Sequence, residues 1–173
     1  MARMTVLGDP RVRRVSELAE AHSIANELYE FLVNDAVEAE LRANNVVGTS
    51  SAVIQSILLE KAEALGFQSE RKGLFASYAS PGLRPDYFRP LGTTGILLEV
   101  ERGKSLDNNM DILDLWKCHI CPAAEYLFLV VPVFRPNGRG RPAPVFERVN
   151  ARLSTFFREP NYVNVQAAFL FGY

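Results

Sequence analysis

The chain has 173 residues, 48% apolar and 23% charged, which is ordinary globular composition with enough apolar material for its own core. Nineteen basic residues face twenty acidic ones, a net charge of −1 that excludes a protein coating nucleic acid by bulk charge but permits a local basic patch. The longest apolar run, residues 126–134, contains Pro132 and falls far short of a membrane span. Residues 1–15 are basic, broken by Gly8 and Pro10, and read as a flexible basic arm ahead of a single domain, 16–173. They carry no signal-peptide core, so a cytoplasmic location is expected. Residues 16–43 have apolar positions at a 3.6-residue period, predicting one or two helices whose seven acids form a solvated face. Thr49, Ser50 and Ser51 offer caps for a further helix with an Ile54, Ile57, Leu58, Ala62, Leu65 stripe, ended by Gly66. Residues 67–78 read as extended or a hairpin, and Pro81-Gly82 and Arg84-Pro85 punctuate the chain before residue 86. Residues 86–90 are a short strand, 91–94 a turn and 95–101 a strand rich in Ile, Leu and Val. Residues 107–120 form a helix with apolar residues on most sides, hence largely buried. Residues 126–134 suit the centre of a two-sided sheet. A Pro/Gly/Arg loop, a helix at 145–157 and a strand at 162–171 complete the chain. The expected fold is α/β, three layers, with a central mixed sheet flanked by helices. Its heart is a parallel unit of strand 95–101, helix 107–120 and strand 126–134.

The sharpest feature is Glu99-Val100-Glu101, ending an apolar strand. Strand side chains alternate, so Ile96, Leu98 and Val100 point into one layer and Leu97, Glu99 and Glu101 into the other. Two carboxylates then emerge about 7 Å apart on one face of an apolar unit. Mutual repulsion and desolvation raise their pKa values, and a hard dication such as Mg²⁺ or Mn²⁺ relieves both effects. Asp86 follows Pro85 thirteen residues before Glu99, and a hairpin through Gly92 returns it beside Glu99. The plain alternative is a surface hairpin with solvated acids, which the run Ile96-Leu97-Leu98 argues against.

Pro85-Asp86, then Glu99-Val100-Glu101, then a helix and an apolar strand, resembles the PD-(D/E)xK, restriction-endonuclease-like nuclease superfamily, over a motif core of about residues 50–134. Glu101 stands where Lys is usual, similar to the E-x-E branch of type II restriction enzymes. The resemblance implies that Asp86 and Glu99 ligate Mg²⁺ (or Mn²⁺) with the carbonyl of Val100. It further implies that Glu101 positions or deprotonates the attacking water. Gln55 stands where the family often carries Glu on the preceding helix, which ends here in Leu65-Gly66-Phe67; it can hold a water but brings no charge. The missing Lys has a candidate in Lys117, unless that side chain snorkels to solvent; Lys104 is the other candidate.

The implied enzyme is a metal-dependent endonuclease, a hydrolase of DNA or RNA, and as a homodimer it would cut two strands. Candidate phosphate contacts are Arg84, Arg89, Arg102 and Lys104 around the acids, and Asn108 and Asn109 at the helix start. Arg135, Arg139 and Arg141 in the loop complete the set. Cys118-His119-Ile120-Cys121 lies at a helix C-terminus, the wrong end for a redox motif, and reads as two buried thiols. Trp116 and the aromatic residues of the last strand read as core. A rival from another class is a catalytically inactive interaction or nucleic-acid-binding protein, with Gln55 and the missing Lys marking lost chemistry. A hydrolase of another phosphate ester is a third.

Overall fold

In the computed structural model, which describes residues 1–11, 13–69, 73–78, 83–102, 108–137 and 140–173, the apolar periodicity of the first third becomes three helices. These are α1 (Val15–Leu32), α2 (Asp35–Asn44) and α3 (Ser51–Ala64). Asn34 separates the first two: its side-chain oxygen accepts from the Ala36 and Val37 N–H groups and caps α2. Helix α3 ends where Gly66 takes φ +81°. There the Phe67 N–H donates to the Ala62 carbonyl at 3.0 Å and the Gly66 N–H to that of Glu63 at 2.8 Å, closing a Schellman motif.

Strands β1 (Arg3–Gly8), β2 (Gln68–Ser69), β3 (Tyr87–Leu91), β4 (Thr94–Val100), β5 (Tyr126–Val131) and β8 (Ala167–Gly172) form one mixed sheet. Its order is β1-β8-β5-β4-β3-β2. The central strands β8, β5 and β4 run parallel, so their C-terminal ends meet at one edge, where ligands bind in open α/β sheets. A separate ribbon pairs β6 (Phe134–Arg135) with β7 (Ala143–Pro144). Helices α4 (Met110–Ile120) and α5 (Val145–Leu153) follow β4 and β7, and a 3-10 turn, Ser154–Phe157, extends α5.

The sheet divides two cores. Ile96, Leu98 and Val100 pack with α1, α2 and α3 on one face, together with Phe128, Phe169 and Phe171. Leu97, Leu127, Leu129 and Leu170 pack with α4 and α5 on the other. Every residue of β4 is buried, so the surface-hairpin alternative is excluded. The β3–β4 hairpin turns at Gly92-Thr93, with Gly92 at φ +56° as such a turn requires. Gly95 lets the layers close: a Cβ there would lie 2.4 Å from the Phe88 ring and 2.7 Å from the Ala123 carbonyl oxygen.

Four expectations are corrected. Residues 3–8, expected within a flexible arm, are a sheet-edge strand antiparallel to β8, and Arg14 bonds Glu125 and Thr93. The central strand expected over 126–134 stops at Val131, because Pro132 has no N–H for the ladder, and the chain resumes in the β6–β7 ribbon. The last strand begins at Ala167 rather than residue 162. Helix α4 is not buried on most sides, and its inward face is mixed: Trp116 is 52% and Leu113 40% exposed, while Asp111, Asp114 and Lys117 are buried with Leu115 and Cys118. No helix among the described residues is long and apolar enough to cross a membrane.

Candidate active site

The register of β3 on β4 pairs Tyr87 with Leu98, so Asp86 extends the ladder opposite Glu99. Partners directly opposite share a face, and this face looks towards α4. The contact is two-way. The Asp86 N–H donates to Glu99 Oε2 at 3.2 Å, and Asp86 Oδ2 accepts the Val100 N–H at 2.9 Å. Asp86, Glu99 and Val100 are therefore locked together, as the sequence spacing predicts.

From α4, Asp111, Asp114 and Lys117 recur at intervals of three residues and face the sheet. The Lys117 ammonium lies 2.5 Å from Glu99 Oε1 and 2.9 Å from Asp114 Oδ1. It also reaches the Arg84 carbonyl at 3.4 Å. Lys117 does not snorkel; it is 6% exposed. Burial works against its charge, but Glu99 and Asp114 outweigh burial and hold its pKa above the ordinary lysine value.

The carboxyl groups show the opposite tendency. Burial, then Asp114, pushes the Glu99 pKa well up, against the pull of Lys117. Burial, reinforced by Asp114 and Asp86, raises Glu101 from 4.5 to about 7. Burial raises Asp114 from 3.8 to about 6, with Lys117 opposing. Asp111 is also raised by burial, with Arg152 opposing from 3.4 Å. Among the described residues, five carboxyl groups thus meet two cations, Lys117 and Arg152. Among the described residues, Asp114 Oδ2 and Asp111 Oδ2 are buried with no hydrogen-bond donor, and Asp111 Oδ1 has the Arg152 ion pair. Such an excess of buried negative charge is resolved by protons or by a bound cation.

The donor chemistry fits a hard dication: Asp86, Glu99 and the Val100 carbonyl offer only oxygen, and an orphaned carboxylate oxygen stands beside them. Among the described residues, however, no three His, Cys, Asp or Glu side chains are grouped as a ready-made metal cluster. Lys117 instead occupies the space between Glu99 and Asp114.

Asp111 and Asp114 escape a reading of the sequence because a helix apolar on most sides is recognised by its hydrophobic residues. The available signal is the polar stripe 111, 114, 117 on a helix whose other positions are mostly apolar. Gln55 is half-buried on α3, a helix of the opposite layer.

The cationic candidates divide. Arg89 alternates onto the far face, where it donates to the Leu65 carbonyl and to Glu20. Arg102 donates to the Val46 and Thr49 carbonyls and anchors the loop before α3. Both are thus structural anchors rather than free phosphate contacts. Asn109 precedes α4 at φ 54° without capping it, and its side-chain oxygen accepts from Arg152. Arg84, Asn108 and Arg141 are exposed, and Arg135 is half-buried. Lys104 and Arg139 lie outside the described residues.

Cys118 and Cys121 are buried and form no disulfide, and burial pushes the Cys118 thiol pKa well up, the reverse of a redox cysteine. His119 stacks on Trp116 and its Nδ1 accepts the Asn164 N–H. No protein-family model matches the chain, and no curated protein matches it.

Proposed function

We propose that this chain is a Mg²⁺- or Mn²⁺-dependent nuclease that hydrolyses DNA phosphodiester bonds by direct attack of water. The observation that carries the reading is the convergence of Asp86, Glu99 and Lys117, from three different elements, on one buried point at the C-terminal edge of the parallel strands. An E-x-E strand with its lysine supplied from the following helix suits the PD-(D/E)xK nucleases that the sequence resembles.

Asp86, Glu99 and the Val100 carbonyl would hold the dication, which when bound offsets charge building on the scissile phosphate and lowers the pKa of water. The chain's own residues do the rest. Lys117 fixes the Glu99 carboxylate and keeps positive charge where the transition state gains negative charge. Glu101, half-buried with a pKa of about 7, is suited to take a proton from the attacking water near neutral pH. Asp114 holds Lys117 in place from the side opposite Glu99.

The test is nicking of supercoiled plasmid in Mg²⁺ or Mn²⁺ by the wild type and by Glu99→Ala. Nicking by the wild type that the variant loses supports the proposal. Identical behaviour of the two proteins removes it and favours the inactive, binding-only reading.

A further inference from the structure

Beyond the acids, the same edge of the sheet carries a cleft of about 250 Å³. It lies between α2 and the ends of β5 and β8, lined by Arg3, Arg42, Asn45, Phe134 and Tyr173, with Glu38 beside Arg42. Tyr173 belongs to both places: it lines the cleft, and its hydroxyl donates to the Glu101 carbonyl at 3.4 Å. One tyrosine therefore links the cleft to the E-x-E segment. The volume is below the roughly 300–1,000 Å³ of pockets for drug-sized ligands and suits one planar group, not a duplex.

Its chemistry is amphipathic. Phe134 is 48% exposed and offers a stacking face. Arg3 and Arg42 stand at the rim, their side chains 44% and 73% exposed. Each contacts one carboxylate, Glu147 and Glu38 respectively, through a single terminal nitrogen. The rest of each guanidinium fork remains to meet a phosphate. The Asn45 amide donates to the Phe134 carbonyl at 2.9 Å, and its Oδ1 is buried with no donor of its own. An aromatic face and a guanidinium rim beside the proposed phosphodiester-cleaving centre match an unpaired nucleotide: base on Phe134, phosphate at the arginines.

We infer that this cleft holds an unpaired nucleotide of the substrate strand within one or two positions of the cleaved bond. The preferred substrates are then single-stranded, flapped or gapped DNA rather than intact duplex. The inference rests on the nuclease reading, and two separate measurements keep their outcomes apart.

The first is fluorescence anisotropy of a short labelled oligothymidylate in EDTA, where no cleavage occurs, against a blunt duplex of similar length. The wild type is expected to favour the single strand, and Phe134→Ala and Arg42→Ala each to weaken it by about tenfold, the scale of one lost stacked base. Both side chains are exposed, so folding is not at stake, and circular dichroism verifies it. Single-strand affinity unchanged in Phe134→Ala, preference for the duplex, or no binding at all overturns the inference. The second is the nicking comparison of wild type with Glu99→Ala. Nicking that depends on Glu99 alongside indifference to Phe134 sinks the cleft alone. Phe134-dependent binding without Glu99-dependent nicking sinks the nuclease reading and leaves a single-strand binding site.

Discussion

Lys117 is the residue on which the site's electrostatics turn. It is the one cation between two buried carboxylates, so replacing it with a methionine of similar length leaves Glu99 and Asp114 facing each other without a counter-charge. Lys117→Met is expected to fold in acid and to lose about 100-fold or more in single-turnover cleavage at pH 8. Cleavage within a few-fold of the wild type would show that the lysine is not part of the chemistry. Glu101 supports a second prediction at this scale. Its folded pKa, about 7, lies above the ordinary 4.5, and Asp114 moves in the same direction, from 3.8 to about 6. Between these values the folded chain binds more protons than the unfolded one, so stability falls as pH rises. Without divalent ions, the melting temperature should therefore decline between about pH 4.5 and 7, and Glu101→Gln should flatten that decline. A melting temperature that rises across this window would contradict the burial of these acids. Asp86, Glu99 and Glu101 are legible in the sequence because strand alternation and a two-residue turn fix which residues stand opposite one another. Asp111 and Asp114 are not, because their importance depends on which way α4 faces, and that is decided by its partners.

At the scale of elements, hydrophobic period identifies the helices and central strands, and Pro and Gly mark their ends. The order in which strands join the sheet is a long-range property, and that is why the first residues mislead. Arg3 to Gly8 show no strong strand signal, yet the exposed edge of β8 gives them a ladder to complete. The β3–β4 hairpin bears the site and depends on Gly95. Gly95→Ala places a methyl group against Phe88 and the Ala123 carbonyl, and backbone cannot give way cheaply. The expected loss is about 1–3 kcal/mol in urea unfolding, the usual cost of overpacking, with cleavage falling as Asp86 loses its register. An unchanged midpoint would mean that the strand shifts freely, which the two-way Asp86–Glu99–Val100 bonding forbids. Phe128 tests the opposite layer: it is fully buried against Phe67, Phe169 and Phe171, and Phe128→Ala should cost about 3–5 kcal/mol. A loss under about 1 kcal/mol would contradict that packing.

For the whole molecule, the balanced net charge conceals a separation. Five carboxyl groups gather in a largely buried pocket at the C-terminal edge of the parallel strands, and the arginine-rimmed cleft lies along the same edge. A polyanion approaching that edge meets guanidinium groups first and the carboxyl cluster only where a cation has entered it. Cation occupancy is therefore the premise on which the chemistry rests, and it is measurable without any nucleic acid. Isothermal titration of Mn²⁺ into the metal-free protein at pH 8 should show saturable binding at the acidic pocket, lost in Glu99→Ala and weakened at pH 5, where the carboxyl groups hold protons. Absence of binding, or binding that Glu99→Ala leaves unchanged, would contradict the account.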